Sequence, residues 1–192
     1  MGSSTPYAES VLPTRWGPFR VLVYHFGDEE AVALVRGHVT GVEEVLVRLH
    51  SECLTGEVFH SERCDCRKQL DRALELIAEA DCGVFVYLRQ EGRGIGLGNK
   101  IKAYALQDEG HDTVEANIAL GFEPDLRSYD HAAAILGNLR PASIRLLTNN
   151  PAKRQALEDA GIVVVGREPH WVGESEHNAV YLAVKKAKMG HK

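Results

Sequence analysis

Three of the four cysteines in this chain lie within fourteen positions, and no other feature constrains the fold as strongly. Ten residues separate Cys53 from Cys64, and Cys66 follows after one more. Three protein thiolates bind zinc tightly and leave a fourth tetrahedral position open for water, whose pKa then falls to about 7. Helical spacing of apolar residues begins directly after Cys66, and thiolates are favoured at a helix N-terminus. The cluster therefore predicts an open, catalytic zinc site at a strand-to-helix junction.

The spacing alone leaves three other interpretations of these cysteines open. The zinc could be structural, with His50 or His60 as its fourth ligand. Two of the thiols could form a disulfide, or all three could be ordinary buried side chains. The fourth cysteine, Cys82, opens an apolar strand, and we predict that it is a small buried hydrophobe.

The composition is that of a soluble globular protein, and its charge argues against one class of partner. Of the 192 residues, 44% are hydrophobic and 26% are charged, and the net charge is −5. A general binder of the nucleic-acid backbone would usually carry a basic surplus. No apolar run approaches the length of a membrane span, no signal-peptide pattern opens the chain, and the clustered thiols indicate a reducing compartment. We therefore expect a cytoplasmic protein with neither a nucleic-acid nor a membrane partner, and leave residues 1–4 out of the fold argument.

Hydrophobic periodicity and turn residues predict a single α+β domain over residues 1–192, with a mixed β-sheet and flanking helices. Strands are predicted at residues 20–26, 30–36, 44–49, 83–88, 143–147 and 162–165. Helices are predicted at residues 65–80, 99–109, 113–122, 132–139, 151–160 and 176–189. Short links favour antiparallel pairing of the first three strands, and the last two form a parallel β–α–β unit whose helix is capped by Asn150. Residues 1–12 are expected to be loosely ordered, and Thr113 is expected to cap its helix.

Two loops carry residue types that bind anions. Residues 89–100 follow a predicted strand and contain four alternate glycines, which let backbone N–H groups approach an anion closely. Arg93 in this loop can make bidentate contacts to phosphate. The segment is neither a Walker loop nor a dinucleotide fingerprint, and a merely flexible turn is the alternative. The second loop, with Thr148 and Lys153, follows a parallel strand, where such sheets usually bind ligands.

Asp125 and Arg127 lie two positions apart on a further loop. Such a pair is most often a local ion pair, but in a pocket it can hold phosphate and move protons. Tyr104 lies on a helix, where a tyrosine is more often part of the core than catalytic. Together with the zinc site, these features suggest a hydrolase acting on a phosphorylated small molecule. The alternative is a zinc-stabilised binding module without chemistry.

Several long motifs in the chain resemble those of one enzyme family. They are RLHSECLTGEVF, RCDC followed by QL, RQEGRGIGLGNKIKAYALQDEGHDTVEAN, LGF followed by DLR, and LLTNNPAKR. In this order they are similar to GTP cyclohydrolase II, the first enzyme of riboflavin biosynthesis, and the similarity runs from about Pro13 to the closing KMGH. Family members are often fused to a second riboflavin-pathway domain, for which this chain is too short.

The resemblance implies that Cys53, Cys64 and Cys66 hold the catalytic zinc. It implies GTP contacts at Arg48, Leu49, His50, Ser51, Glu52, Gln69, Glu91, Gly92, Arg93, Thr113, Thr148 and Lys153. It also implies that Asp125 is the proton acceptor, that Arg127 is the nucleophile and that Tyr104 takes part in ring opening. Since an arginine stays protonated in proteins, chemistry alone would make Arg127 a phosphate ligand oriented by Asp125.

The family reaction hydrolyses GTP at guanine C8 and at the triphosphate, and releases formate and pyrophosphate. The resemblance further implies a magnesium ion at the triphosphate and a homodimer. Two departures from the family pattern, at Arg67–Lys68 and at Ser128, leave open a divergent paralogue that makes a partial product. Such a paralogue would keep the formyl group or release pyrophosphate alone.

Overall fold

The computed structural model describes residues 5–173 and residue 183. These residues contain one seven-stranded mixed sheet with helices on both faces. The strands are β1 (Ala8–Thr14), β2 (Gly17–Phe26), β3 (Glu29–Arg36), β4 (Val45–Ser51), β5 (Gly83–Leu88), β6 (Ile144–Leu147) and β7 (Val164–Glu168). The helices are α1 (Leu54–Glu57), α2 (Cys66–Glu79), α3 (Gly96–Asp108), α4 (Thr113–Ala119), α5 (Asp130–Leu139) and α6 (Pro151–Asp159). Within this part of the chain, no helix combines the length and the apolar character needed to cross a membrane.

The strand order is β1-β2-β3-β5-β4-β6-β7. Strands β1, β2, β3 and β5 pair antiparallel, whereas β5, β4, β6 and β7 pair parallel. The predicted antiparallel hairpin of β2 and β3 and the parallel pair β6 and β7 are therefore confirmed. Helix α2 packs on one face of the sheet, with Phe85 and Leu147, while α5 and α6 cover the other face.

The prediction that residues 44–49 pair antiparallel with the two preceding strands is wrong. Strand β4 lies between β5 and β6 and is parallel to both, because β5 inserts between β3 and β4. Its residues are buried on both faces, a pattern that belongs to parallel strands between two helix layers. The link between β3 and β4, residues 37–44, is short, but it is long enough to cross the end of β5.

Two further expectations at chain and helix ends need correction. Residues 8–12 are not loosely ordered, since they belong to edge strand β1; nearly all of its side chains are exposed, so hydrophobic periodicity gave no signal. Helix α4 is capped by Asp112 and not by Thr113, because the Asp112 carboxylate accepts from the backbone N–H groups of Val114 and Glu115. The predicted helix 176–189 lies outside the described residues, apart from helical Ala183.

The connections around β4 determine where a ligand can bind. The chain leaves β4 through α2 on one face to reach β5, and it later reaches β6, on the other side of β4, through helices that include α5 on the opposite face. Open α/β sheets bind ligands in the crevice outside the carboxyl ends of strands at such a reversal of strand order. The carboxyl ends of β4, β5 and β6 therefore define the place to look for a site.

Candidate active site

A cleft opens at the carboxyl ends of β4, β5 and β6, and all but two of the residues predicted for the site line it. The exceptions are Leu49 and Asp125. The Leu49 side chain is fully buried in the core, and its carbonyl accepts a hydrogen bond from Lys153 Nζ at 2.7 Å. Asp125 stands behind Arg127, which does line the cleft. Chain segments as far apart as residues 48 and 153 thus meet at one site.

The three clustered cysteines meet at one side of this cleft. The sulfurs of Cys53, Cys64 and Cys66 all lie within 4.8 Å of one another, and those of Cys53 and Cys64 are 3.6 Å apart. Zinc–sulfur bonds of about 2.3 Å at tetrahedral angles place two sulfurs about 3.8 Å apart, so the trio fits zinc. A disulfide would need about 2.05 Å, and all four cysteines are free. The fourth cysteine, Cys82, is not part of this trio and packs half-buried against the hydrophobic core.

No histidine completes the metal site within residues 5–173. The His50 Nε2 atom is 2.7 Å from the Glu57 carboxylate, and His60 is exposed. Helix α1 passes so close to the sulfurs that a Cβ added at Gly56 would lie 2.8 Å from Cys64 Sγ. The three sulfurs therefore leave one position on the cleft side for a non-protein ligand, which is the arrangement of catalytic zinc sites.

Protons are shared unequally among the three sulfurs. Hydrogen bonds from the Cys64 and Cys66 thiols hold the pKa of Cys53 well below its ordinary value. The hydrogen bond to Cys53 raises the pKa of Cys64 to about 11 and also raises that of Cys66. Three thiolates this close would repel one another, so Cys64 and Cys66 keep their protons until a metal cation replaces them. Because metal binding releases these protons, the metal affinity should rise with pH.

Lys100 is a cleft residue that sequence reasoning missed. Its ammonium is buried and donates to Cys53 Sγ at 3.2 Å, to Thr55 Oγ1 at 2.9 Å and to Glu91 Oε1 at 2.7 Å. Although burial opposes it, the Cys53 thiolate and the Glu91 carboxylate raise the pKa of Lys100. The other Glu91 oxygen accepts from the backbone N–H of Leu54 at 2.6 Å. Both oxygens of Glu91, predicted to contact GTP, thus already have protein donors.

The glycine-rich loop forms a 3-10 turn (Glu91–Gly94) that leads into α3. Gly92 and Arg93 both adopt positive φ near 62°, and an added Cβ at Gly92 would lie 3.0 Å from Lys100 Cβ. The terminal nitrogens of Arg93 are buried in the cleft wall and have no hydrogen-bond partner among the described residues. An unpartnered buried guanidinium is costly and fits an anionic ligand.

Arg127 is held by a bidentate ion pair. Its Nε and one terminal nitrogen donate to the two carboxylate oxygens of Asp125, at 2.8 and 2.5 Å. Burial opposes ionisation of Asp125, but the hydrogen bonds from Arg127 lower the pKa of its carboxyl below the ordinary value. The loop is fastened to the glycine-rich turn, since the Leu126 N–H donates to the Arg93 carbonyl at 3.0 Å. Of the pair predicted from sequence, Arg127 therefore faces the same cleft as the metal trio, and Asp125 holds it there.

A chain of polar contacts runs behind the cleft from α2 to β6. Arg48 donates to the Leu147 carbonyl at 2.9 Å and to Gln69 Oε1 at 2.6 Å, while the Gln69 amide donates to Asp65. Burial lowers the pKa of Arg48 to about 10. Both predicted ligand residues, Arg48 and Gln69, are therefore partly engaged in holding the cysteine-bearing end of α2 against the sheet.

A second buried network fixes His50. The Glu57 carboxylate lies 2.7 Å from His50 Nε2 and accepts from the Tyr87 hydroxyl, also at 2.7 Å. Burial lowers the pKa of His50, and its Nδ1 atom is buried with no partner in the described structure. Neither Glu57 nor Tyr87 carries a sequence signal that could have identified this network.

The remaining predicted residues complete the cleft wall. Ser51 accepts from the Gln90 amide at 2.9 Å, and Glu52 lies 3.9 Å from Arg89. Burial raises the pKa of Tyr104 to about 12, and the Arg63 guanidinium lies 4.9 Å from its ring centre. Three more predicted residues line the cleft at helix N-terminal ends, namely Thr113 on α4 and Thr148 and Lys153 at the start of α6.

Comparison with known proteins gives a consistent result. A family model described as GTP cyclohydrolase II matches residues 5–169. GTP cyclohydrolase-2 of Actinobacillus succinogenes is 54% identical over 185 residues, which cover 95% of this chain and 85% of that protein. GTP cyclohydrolase-2 of Aeromonas hydrophila is 53% identical over 194 residues, with 100% and 98% covered. The riboflavin biosynthesis protein RibBA of Aquifex aeolicus is 54% identical over 187 residues, 96% of this chain and 46% of that longer protein.

Among solved structures, the similarity is weaker. One match is the crystal structure of RibBX, a two-domain 3,4-dihydroxy-2-butanone 4-phosphate synthase from A. baumannii. The matched region covers 87% of this chain and 40% of the RibBX chain. The two are 21% identical, and the TM-score of 0.49 is too low to support a conclusion.

Proposed function

Because the chain belongs to the GTP cyclohydrolase II family and is an enzyme of this type, we propose that it catalyses the full family reaction. It would hydrolyse GTP at guanine C8 and at the triphosphate, releasing formate and pyrophosphate. The product would be 2,5-diamino-6-ribosylamino-4(3H)-pyrimidinone 5′-phosphate, made in the first step of riboflavin biosynthesis. The observation that carries this proposal is the open trio of sulfurs facing a cleft that also holds an unpartnered guanidinium.

Zinc is the metal that suits the donor set. Three thiolates are soft ligands, and the 3.6 Å separation of two of the sulfurs is close to that expected around tetrahedral zinc. A zinc ion held there would act as a Lewis acid that makes water reactive near neutral pH. Magnesium would bind mainly through the triphosphate, as it commonly does with nucleotides. Support for magnesium comes from the family resemblance alone.

We assign the anionic end of GTP to the part of the cleft lined by Arg93, Arg127, Thr148 and Lys153. Arg93 would bind phosphate through its unpartnered nitrogens, and Arg127 faces the same space from the Asp125 loop. Lys153 and Thr148 would contribute at the N-terminal end of α6, where backbone N–H groups favour anions. In this scheme Asp125, which keeps Arg127 in place, accepts a proton from the Arg127 guanidinium. The neutral Arg127 attacks the α-phosphorus of GTP and expels pyrophosphate, and water then cleaves the phosphorus–nitrogen bond to restore Arg127.

The guanine end of GTP would then face the sulfurs. Tyr104 is half-buried beside them. Its hydroxyl is protonated at neutral pH, as in any tyrosine, and can donate to an oxygen or nitrogen of the opening ring, while burial raises its pKa further, to about 12. Gln69 and Glu91, the predicted guanine contacts, already make hydrogen bonds within the protein. They would bind guanine through the lone pairs and N–H groups that these bonds do not use.

Nothing favours a partial product. The departures from the family pattern do not line the cleft: Arg67 pairs with Asp71, Lys68 lies against Gly173, and the Ser128 hydroxyl donates to Asp130. We further propose a homodimer in a reducing cytoplasm, in keeping with the family and with the free thiols. Sedimentation of the purified protein at the mass of one chain would refute the dimer.

The proposal is tested by product analysis together with metal analysis. Purified protein incubated with GTP should contain zinc and should release formate and pyrophosphate in amounts equal to the GTP consumed. Cys53→Ser should lose most of its zinc and its formate release, because one thiolate of three is gone. GTP consumption without formate would refute the full reaction, and complete conversion by zinc-free protein would refute the role of the metal.

A further inference from the structure

Lys100 is the only lysine in the described part of the chain whose ammonium contacts a sulfur of the metal trio. The side chain enters from the first turns of α3, and its Nζ lies 3.2 Å from Cys53 Sγ. Only 9% of the residue is exposed, so this is a cation almost removed from water. Burying an ammonium is costly unless it is fully hydrogen-bonded and paired.

The hydrogen bonds of Lys100 use its whole donor capacity. An ammonium has three donors, and here they go to Cys53 Sγ, Thr55 Oγ1 and Glu91 Oε1. No donor is left for GTP. Any effect of Lys100 on the reaction must therefore act through the groups that it holds.

Those groups place the first metal-binding sulfur. Glu91 accepts from Lys100 with one oxygen and from the Leu54 backbone N–H with the other, so the ion pair spans the segment that follows Cys53. Thr55, from the same segment, is held by Lys100 and lies 3.7 Å from Cys53 Sγ. Gly92 has no Cβ, and this allows the glycine-rich turn to pass within contact distance of the lysine stem.

We propose that Lys100 is a positioning residue for the metal: it fixes the rotamer of Cys53 and withdraws electron density from that sulfur. This inference rests on the proposed function, since it presupposes zinc at the three sulfurs. Hydrogen bonds to ligand sulfurs, like other contacts behind the ligands, orient them and tune the metal. Less donation from Cys53 leaves a bound zinc ion more positive and a better activator of water.

The charge balance of the site supports the same role. Three thiolates and the Glu91 carboxylate carry four negative charges, whereas a zinc ion and the Lys100 ammonium would carry three positive charges. Without the ammonium, the excess of negative charge buried beside the metal would rise from one unit to two, which is strongly unfavourable. We therefore expect Lys100 to strengthen zinc binding at neutral pH as well as to tune it.

The test compares Lys100→Met with Lys102→Met. Methionine keeps the length and apolar character of the stem but removes the charge and all donors, and Lys102 is an exposed lysine on the same helix. Zinc affinity is measured by competition with a chromophoric chelator, and the sulfur-to-metal charge-transfer band is recorded on the cobalt(II)-substituted proteins. Steady-state kinetics with GTP are taken at saturating zinc.

We expect Lys100→Met to bind zinc about 10- to 100-fold more weakly and Lys102→Met to match the wild type. The cobalt band of Lys100→Met should shift to longer wavelength, because a sulfur without its hydrogen bond is easier to oxidise. The kcat should fall with little change in KM, since Lys100 does not touch GTP. An unchanged affinity and an unchanged cobalt band would overturn the inference.

Two controls keep the result interpretable. If Lys100→Met does not fold, the double variant Lys100→Met/Glu91→Gln, which removes the ion pair as a whole, is compared with Glu91→Gln by the same two metal measurements. A wild-type protein that binds no zinc or releases no formate would refute the proposed function itself. A wild type that does both, beside a Lys100→Met protein with native affinity and spectrum, would refute only the role of Lys100.

Discussion

Two arginines of the cleft differ in whether their terminal nitrogens already have hydrogen-bond partners in the protein. Arg127 is held by both oxygens of Asp125, whereas the terminal nitrogens of Arg93 are buried without a partner in the described structure. The guanidinium of Arg127 is therefore already oriented, whereas that of Arg93 would gain the most hydrogen-bond energy from a bound anion. We therefore propose separate roles for the two arginines: Arg93 binds the triphosphate, and Arg127 is the nucleophile that attacks its phosphorus.

A pair of substitutions tests this separation. Arg93→Asn, which tolerates the positive φ at this position, should raise the KM for GTP by about 10- to 100-fold, since a charge-assisted hydrogen bond contributes about 1.5–3 kcal/mol. At saturating GTP it should still form a covalent guanylyl adduct, which rapid quench would trap in the wild type but not in Arg127→Ala. Arg72→Ala, at an exposed arginine on α2 that pairs with Glu75 outside the cleft, is the control and should leave KM unchanged. An unaltered KM in Arg93→Asn, or a wild type without an adduct, would contradict the assignment.

At the scale of single elements, helix α1 is built around the sulfurs. It has only four residues, and an added Cβ at Gly56 would lie 2.8 Å from Cys64 Sγ and 3.3 Å from Cys53 Sγ. Such distances force the sulfurs to move. Gly56 is thus needed for space and not for a special backbone angle, because its φ is not in the left-handed region.

Replacing glycine by alanine should harm the protein in α1 and stabilise it in α5. Gly56→Ala should lower the zinc content and the formate release, because the new methyl displaces two metal ligands. Gly137→Ala, in the exposed middle of α5 with nothing within 4 Å of the added Cβ, should stabilise the fold by about 0.5–1 kcal/mol and leave zinc unchanged. Metal analysis and chemical denaturation of both variants would check this; full zinc in Gly56→Ala would show that the sulfurs are not confined by α1.

The elements and site residues that sequence predicted share a local signal. The cysteine spacing, the glycine run and the N-cap Asn150 before Pro151 are patterns within a few positions. The structure confirms the strand-to-helix setting of the cysteines and the cap at Asn150, but α3 begins at Gly96 and not at Asn99, so two of the four alternate glycines belong to the helix. Lys100 carries no such signal, because its partner Cys53 is 47 positions away. The position of β4 between β5 and β6 likewise has no local signal. Strand β4 is buried on both faces, but Glu44 and Arg48 interrupt the apolar run that would have indicated this.

At the scale of the molecule, the described segment after β7 returns to the cysteine-bearing helix. The His170 backbone N–H donates to Asn149 Oδ1 at 2.7 Å, and His170 Nε2 lies 2.8 Å from the Gln69 carbonyl on α2. Gln69 in turn holds Arg48 on β4. His170 therefore links the last described segment to the anion turn before α6 through its backbone N–H and to the metal end of α2 through its buried ring. Protonation of that ring should affect the stability of the whole fold.

The pH dependence of unfolding tests this link. Burial lowers the pKa of His170 to about 3, far below the 6.5 expected in the unfolded chain, so the unfolded state binds the proton more readily. The stability contributed by the neutral ring is therefore complete above about pH 6.5 and is lost as the pH falls toward 3. Between about pH 6 and 4.5 the wild type should lose about 2 kcal/mol more than His170→Gln, which has no group that titrates in this range. His50, whose pKa burial also lowers, is present in both proteins and cancels in the difference. Urea denaturation at a series of pH values gives both slopes, and equal slopes would mean that His170 is not buried as a neutral ring in solution.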